Sequence, residues 1–350
     1  MRNATRVLFA AYVSQIAMLS GIAADDAKAY FSVDPAVGQK LEEKIQQSSE
    51  FLQKVNFVTV QQQEGDKVGV GVTRPIAGRT DTSGGAKRNP GDPTDTSDLG
   101  RYRCEQTNFD YAFRYSKLDA WAHRPEFETL LRDTIVQQQG RDRIMIGWNG
   151  TSVAATTDVA AHPLLQDVNL GWLYKIRTYA EARVLDDGDL TVKDDGTDNA
   201  ALKAIYVADA TLYNEDDDNA VTAQADYANI DALAFDLIEL MDEWHRDDTD
   251  LVVICGRDLV HEKFLNVINA AGDQATEMEA RNRILTLPKQ VGGKQAVMVP
   301  FFPANAMLVT SLDNLSIYNQ AETRRRMLRD EPDYDRVANY ESVNECYVVE

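Results

Sequence analysis

Apolar residues recur at helical spacing over residues 5–20, where Phe9, Tyr12, Val13, Ile16 and Leu19 share one face while Arg6, Ala10, Ser14 and Met18 lie away from it. The spacing predicts a short amphipathic helix, followed by an exposed "GIAADDAKAY" link. Val37, Leu41 and Ile45, then Phe51, Leu52 and Val55, mark a second helix with a narrow apolar stripe and an extended exit. A stripe that narrow fits an arm lying on another surface rather than a core helix. Val68, Val70 and Val72 then alternate with Gly69 and Gly71, giving a strand with one apolar and one bare face. In "NFDYAFRYS", Phe109, Tyr111, Phe113 and Tyr115 again fall on one face at period two. The two stretches are expected to form a long hairpin. Its tip is "GRTDTSGGAKRNPGDPTDTSDLG", residues 78–100. A loop of that length inside a compact domain marks function or disorder. A lone hairpin is marginal in water, and the chain offers no obvious local partner, so the pattern points to a neighbouring molecule.

Beyond the hairpin, "LDAWAHRPEFETLLRDTIVQQQGRDRIMIGWNG" predicts one long helix with Pro125 near its start and Gly147 near its end. Phe127, Leu130, Leu131, Ile135, Ile144 and Met145 would face a core. From about Thr151 the pattern is mixed. "PLLQDVNLGWLYKIR" and "NIDALAFDLIELMDEW" look helical, the latter with a stripe of Ile230, Leu233, Leu237, Leu240 and Trp244. "LVVIC" reads as a buried strand followed by a helix from about Arg257 to Ala271, and "QAVMVP", "AMLVTSL", "LSIYNQ" and "NECYVVE" read as strands. The order gives no regular βαβ series and no internal repeat, so the fold class is α+β.

Composition narrows the function. The 350 residues carry a net charge of -20, the wrong sign for a protein whose main task is gripping phosphates. No apolar run approaches the ~20 residues of a membrane helix. Cys104, Cys255 and Cys346 match no zinc or CxxC spacing and read as buried free thiols in a reducing compartment. The first 29 residues mimic a secretory signal, with early arginines and an A-x-A-like ending, but a signal core is apolar all round and this one is amphipathic.

Chemical motifs fail one by one. "GVGV" lacks the third glycine of a dinucleotide cradle and sits in a strand, and the single glycine of "VVICGRDLV" is a loop residue. "DDGDLTVKDDGTDN" has Lys193 and Thr191 where a calcium loop needs acidic or amide residues. "HEKFL" has Leu265 in place of the second zinc histidine, and His123, His162, His245 and His261 are scattered. No nucleophile elbow occurs. No catalytic residue, metal site or cofactor is assigned, and the chain does not read as an enzyme. The dense basic cluster is "ETRRRMLRDEPDYDR": either a solvated face balanced by nearby acids, or an intersubunit charge patch built on Arg324, Arg325, Arg326 and Arg329.

An arm, a projecting hairpin, a long helix and a mixed lobe describe a subunit that embraces its neighbours. The chain resembles the major capsid proteins of P-two-like tailed bacteriophages, with the Hong Kong ninety-seven type capsid fold, over nearly its whole length. The resemblance is carried by "TRVLFAAYVSQIAMLSGI", "GVGVTRPIAGRTDTSGGAKRNP", "CEQTNFDYAFRYSKLDAWA", "IMIGWNG", "PLLQDVNLGWLYKIR", "DLVVICGRDL", "PFFPANAMLVTSLDNLSIY" and "RDEPDYDRVANYESVN". It implies an N-terminal assembly segment over 1–31, cleaved near Phe31–Ser32 by a prohead protease. An arm over 32–65 and an extended loop over 66–117 follow, then a peripheral domain with spine helix over 118–150. An axial domain over 151–303 and peripheral strands over 304–350 complete the expected division. Gly78, Arg79, Asp81, Gly84, Gly85, Lys87 and Arg88 would form the loop tip on an adjacent subunit.

The implied partners are other copies in hexamers and pentamers, a scaffolding protein, the protease, a portal protein and packaged double-stranded DNA held by weak non-specific contact. No membrane is implied. The implied place is the virion capsid, assembled in the host bacterial cytoplasm, where an acidic interior would limit sticking of DNA. The chain stops at "CYVVE", inside what reads as a strand, while the family pattern continues a little further. Two other readings follow from the same residues: a secreted acidic protein or enzyme, from the signal-like start, and a shell that holds cargo instead of a genome.

Overall fold

The computed structural model describes residues 2–19, 22–23, 25–67, 71–72, 77, 94–95, 101–121, 127–188, 205, 207, 226–227, 229–259 and 290–350. The chain divides into two compact units, one of residues 1–175 and 314–350, the other of residues 176–313.

In the first unit, α1 (Asn3–Leu19) leads to a two-residue strand, β1 (Phe31–Ser32). Helix α2 (Pro35–Gln47) follows, with proline at its first turn and Asp34 accepting from the Ala36 N–H at 2.8 Å. Then come α3 (Glu50–Lys54), β2 (Asn56–Val60), β3 (Glu64–Gly65), β4 (Gly71–Val72), β5 (Thr94–Asp95) and β6 (Tyr102–Arg103). After them stand β7 (Glu105–Asn108), β8 (Tyr111–Arg114), α4 (Tyr115–Trp121), α5 (Phe127–Asn149) and α6 (Trp172–Tyr179), the last beginning in the first unit and ending in the second. The second unit contains α7 (Ile230–Glu239), α8 (Glu243–Arg246), β9 (Val252–Cys255), β10 (Gln290–Val291), β11 (Lys294–Val297) and β12 (Met307–Thr310). The chain returns to the first unit with β13 (Leu315–Gln320), β14 (Arg325–Glu331) and β15 (Arg336–Val349).

β15 is the axis of the first unit's seven-stranded sheet. On one edge it pairs antiparallel with β14, from Glu331↔Arg336 to Arg325↔Ser342, and then with β13, from Asn319↔Glu345 to Leu315↔Val349. Its other edge takes β8, from Arg336↔Arg114 to Asn339↔Tyr111, and then β7, from Ser342↔Asn108 to Glu345↔Glu105. β2 extends the sheet beyond β13 in parallel, and β1 closes the far edge of β14. With ladders on both edges, β15 is covered nearly end to end.

An aromatic layer holds α3, α5 and α6 to this sheet. Trp172 lies 5.0 Å from Trp148, 5.4 Å from Tyr347 and 6.2 Å from Phe51, ring centre to ring centre. Its indole N–H donates to the Ser316 carbonyl at 3.1 Å, so the buried ring leaves no unpaired donor. Close approach requires glycine here: a Cβ on Gly171 would stand 2.5 Å from the Gly147 carbonyl oxygen. In the second unit the sheet order is β10-β11-β9-β12, with β11 and β9 parallel. Ile230 and Ala234 of α7 pack with Val253, Cys255 and Val291. Gly292 and Gly293 take φ of 57° and 76°, as a two-residue turn from β10 into β11 demands.

Several expectations change. Of the expected hairpin, residues 68–70 lie outside the described residues, Gly71 and Val72 pair with Asp95 and Thr94, and the stretch 105–114 takes another partner. It forms β7 and β8 on β15, because the sheet buries that aromatic face more fully than a two-stranded ribbon. The ribbon stem is instead β3 with β6 and β4 with β5. Tyr115 opens α4, and the expected long helix is two helices, α4 and α5, with Pro125 in the sequence between them. The second helical stripe likewise divides into α7 and α8, with Trp244 exposed. Residues 151–175 stay with the first unit: the Gly171 N–H donates to the Gly150 carbonyl at 3.0 Å, and the Asn169 amide to the Glu345 carbonyl at 2.8 Å. Residues 304–313 stay with the second, since β12 pairs β9. Most of the helix expected over 257–271 lies outside the described residues.

Candidate functional site

The richest chemistry lies where the amino-terminal arm crosses the sheet. β1 extends β14 by two residues, Phe31↔Arg326 and Ser32↔Arg325, and the Val33 N–H donates to the Arg324 carbonyl at 3.0 Å. Phe31 and Val33 are buried with Ala17 and Ala27, against Val13, Ile16, Ile22 and Val37. Helix α1 therefore folds back on its own subunit and covers the junction. Its other end is fastened where the Arg2 N–H donates to Asp119 at 2.9 Å, and Phe9 packs against Leu118 and Val337. Phe9 and Tyr12 close a small apolar gap over Tyr111, Phe113, Leu328 and Val337. Among the described strands, β1 is an edge with one side unpaired.

Downstream of the junction the arm is latched by charge. Glu42 of α2 accepts from Arg324 and faces the Arg143 guanidinium at 3.6 Å. Arg143, wholly buried on α5, donates to Glu345 of β15 at 2.9 Å, with Phe109 beneath its guanidinium at 4.8 Å. Arg324 also donates to Glu341, which the Gln139 amide reaches at 3.3 Å. Gln139 and Arg143 stand four apart on one helix face, and Glu341 and Glu345 four apart on one strand face, so a helix stripe reads a strand stripe.

Two carboxylates compete for Arg143. Burial pushes Glu42 up, but Arg324 and Arg143 outweigh it and hold the carboxyl below its ordinary value. Burial pushes Glu345 up as well, and Arg143, its principal cation, does not fully offset this, so Glu345 titrates above the ordinary value. Repulsion from the Glu42 carboxylate adds to the burial at Glu345, while Glu42 has both arginines close by.

The predicted charge patch divides by strand alternation. Arg324 is buried in the latch. Arg326 turns inward, its guanidinium donating to Asn339 at 2.8 Å and to the Tyr111 hydroxyl at 3.1 Å. Both are engaged inside the subunit, while Arg325 and Arg329 face outward. Gly78, Arg79, Asp81, Gly84, Gly85, Lys87 and Arg88 lie outside the described residues. Sequence reasoning missed Glu42, Arg143, Glu341 and Glu345. The available signal was two glutamates four apart in a strand otherwise rich in apolar residues, answered by an arginine in the otherwise apolar end of a helix. Among the described residues no cluster of three histidine, cysteine or acidic side chains is placed to hold a metal ion, and no helix is long and apolar enough to cross a membrane.

An α+β subunit with a folded-back arm, a ribbon stem and a long helix crossing a sheet is a phage-capsid subunit of the Hong Kong ninety-seven type. A solved structure titled "Satellite phage P4 procapsid including size determination (Sid) protein" matches all of this chain and 95% of its own, at TM-score 0.76 and 39% identity. A family model described as "Phage major capsid protein, P2 family" matches residues 8–350, and the chain belongs to that family. It is 41% identical to the "Capsid proteins" of Escherichia phage P2, over 100% of this chain and 92% of that one. It is 39% identical to the "Major capsid protein" of Serratia phage KSP20, over 100% of this chain and 94% of that one. The protein is a structural component of an icosahedral phage shell, not an enzyme.

Proposed function

We propose that this chain assembles, with a scaffolding protein, into a procapsid of hexamers and pentamers that comes to enclose double-stranded DNA, and that residues 1–31 are removed by a prohead protease between Phe31 and Ser32. The observation that carries the processing step is the position of β1. A protease binds its substrate as an extended strand, and the Phe31–Ser32 backbone is extended with one edge unpaired among the described strands. Everything that latches the arm, from the Asp34 cap to Glu42, lies on the retained side.

Residues 66–101 form the loop that lies over a neighbouring subunit, with 78–88 at its tip, and Arg325 and Arg329 contribute outward charge to subunit contacts. The first unit serves as the peripheral domain and the second as the axial domain. That a matched procapsid includes a size determination protein supports an assembly partner outside the chain. A portal protein, weak DNA contact and assembly in the host cytoplasm belong to the same reading, and a net charge of -20 suits an interior that must not hold DNA tightly.

Co-expression with the neighbouring phage genes, negative-stain microscopy and intact mass test this together. Uniform shells whose chains begin at Ser32 are expected. Soluble monomers with an intact amino terminus would overturn it.

A further inference from the structure

Cys104 and Cys346 lie 242 residues apart in sequence, yet their sulfurs are 3.5 Å apart in the buried cluster formed with Val60, Tyr102, Tyr318 and Val348. The register explains why. β7 and β15 pair through Glu345↔Glu105, so the next step of that ladder sets Cys346 opposite Cys104. Opposed residues of antiparallel strands have Cα atoms about 4.5–5.5 Å apart, inside the range of about 4.4–6.8 Å that a disulfide spans. The two sulfurs already stand within contact distance of each other. Cys104 also sits at the root of the ribbon: its N–H donates to the Gln63 carbonyl at 2.8 Å, beside the two-residue β3–β6 ladder.

We infer that Cys104 and Cys346 are a built dithiol site that closes to a disulfide on exposure to a small disulfide oxidant, fixing the root of the 66–101 segment to β15. The site stands on the register alone and is independent of the processing reading. In the closed fold the Cys104 thiol is held protonated, first by its hydrogen bond with Cys346 and then by burial. Reaction therefore begins when the short β3–β6 ladder opens. The Cys104 thiolate attacks one sulfur of oxidised glutathione, forming a mixed disulfide and releasing one glutathione thiolate. The Cys346 thiolate then attacks the Cys104 sulfur and releases the second. Two protein thiols are oxidised, one glutathione disulfide is reduced, and the two protons end on the released glutathiones.

The full-length chain is equilibrated in glutathione buffers of graded oxidised-to-reduced ratio, with and without urea below the unfolding midpoint. Acid quenching, alkylation under denaturing conditions and peptide mass mapping follow. A peptide joining Cys104 to Cys346 with two hydrogens lost is expected, with Cys255 alkylated. The bridged chain should melt about 5 °C or more above the reduced one, because the bridge closes a very long loop. Cys255→Ala should keep both the bridge and the shift; Cys104→Ala and Cys346→Ala should lose both. Glutathione adducts without an internal bridge, three alkylated cysteines in both urea conditions, or a bridge to Cys255 would each overturn the inference.

Discussion

The Arg143 guanidinium on α5 donates to the Glu345 carboxylate on β15 at 2.9 Å, and solvent reaches neither side chain. Such a pair is costly to desolvate and costlier to break, because a lone charge would remain in a medium of low dielectric. Arg143→Met strands Glu345 and leaves Glu42 with Arg324 alone, whereas Glu345→Gln leaves Arg143 with Glu42. Urea denaturation of the full chain should show Arg143→Met losing about 3–5 kcal/mol and Glu345→Gln clearly less. Equal losses would refute the two-carboxylate arrangement.

The latch also sets an acid response. Glu42, with its folded pKa below the ordinary 4.5, contributes stability that is present above that value and lost as pH falls through the folded pKa. Glu345, raised above 4.5, has the opposite sign, and its protonation adds stability as pH falls through its folded pKa towards 4.5. Melting temperatures followed from neutral pH into acid should first rise or level and then fall. Glu42→Gln should flatten the fall below 4.5, and Glu345→Gln should remove the preceding rise. A fall that Glu42→Gln leaves unchanged would assign it to other carboxylates.

Strand alternation separates the four arginines. Arg324→Ala should destabilise the isolated chain by roughly 3–5 kcal/mol, since it leaves Glu42 and Glu341 short of a cation. Arg325→Ala with Arg329→Ala should shift stability by under about 0.5 kcal/mol while reducing shell yield. Sedimentation of the same preparations distinguishes a folding defect from an assembly defect.

Gly171→Ala is a small change with nowhere to go. Its Cβ would meet backbone oxygens of Gly147 and Ile146 at 2.5 and 2.6 Å, and backbone yields less readily than a side-chain end. A loss of about 3 kcal/mol is expected from overpacking, together with a shifted tryptophan emission from Trp148 and Trp172. Emission and midpoint like those of the unaltered chain would show that α5 and α6 move apart freely.

A chain beginning at Ser32 should still fold. It keeps the Asp34 cap, the Glu42 latch and every ladder of the sheet except the Phe31 position. Losing α1 uncovers apolar side chains at Tyr111, Phe113, Leu328 and Val337. Cooperative unfolding with increased binding of an apolar dye is expected, and loss of cooperativity would make α1 part of the fold itself.

Local pattern made much of this legible. The amphipathic α1 and the strands β9, β12 and β13 follow from periodicity alone, and "TRRRMLRDE" carried its alternation in plain view beneath a conspicuous basic composition. What periodicity cannot give is the partner. Phe109 to Tyr115 has strand spacing whether it pairs residues 68–72 or β15, and only the sheet's long-range burial chooses between them. Glu42, Arg143 and Glu345 are more than a hundred residues apart in sequence, so their meeting is a product of topology, not of any local signal.

β15 follows in the chain every strand it joins: β7, β8, β13 and β14 are all made before it. On the ribosome the second unit has all its residues while the first still lacks its axis. Pairings of such sequence separation are slow to close, and until β15 arrives the edges of β7, β8, β13 and β14 stand open to strands of other chains. Subunits meant to crowd together in a shell thus pass through a stage in which premature contact is a hazard. Protease protection of ribosome-bound chains should appear first over 229–259 and over the first unit only after β15 has emerged.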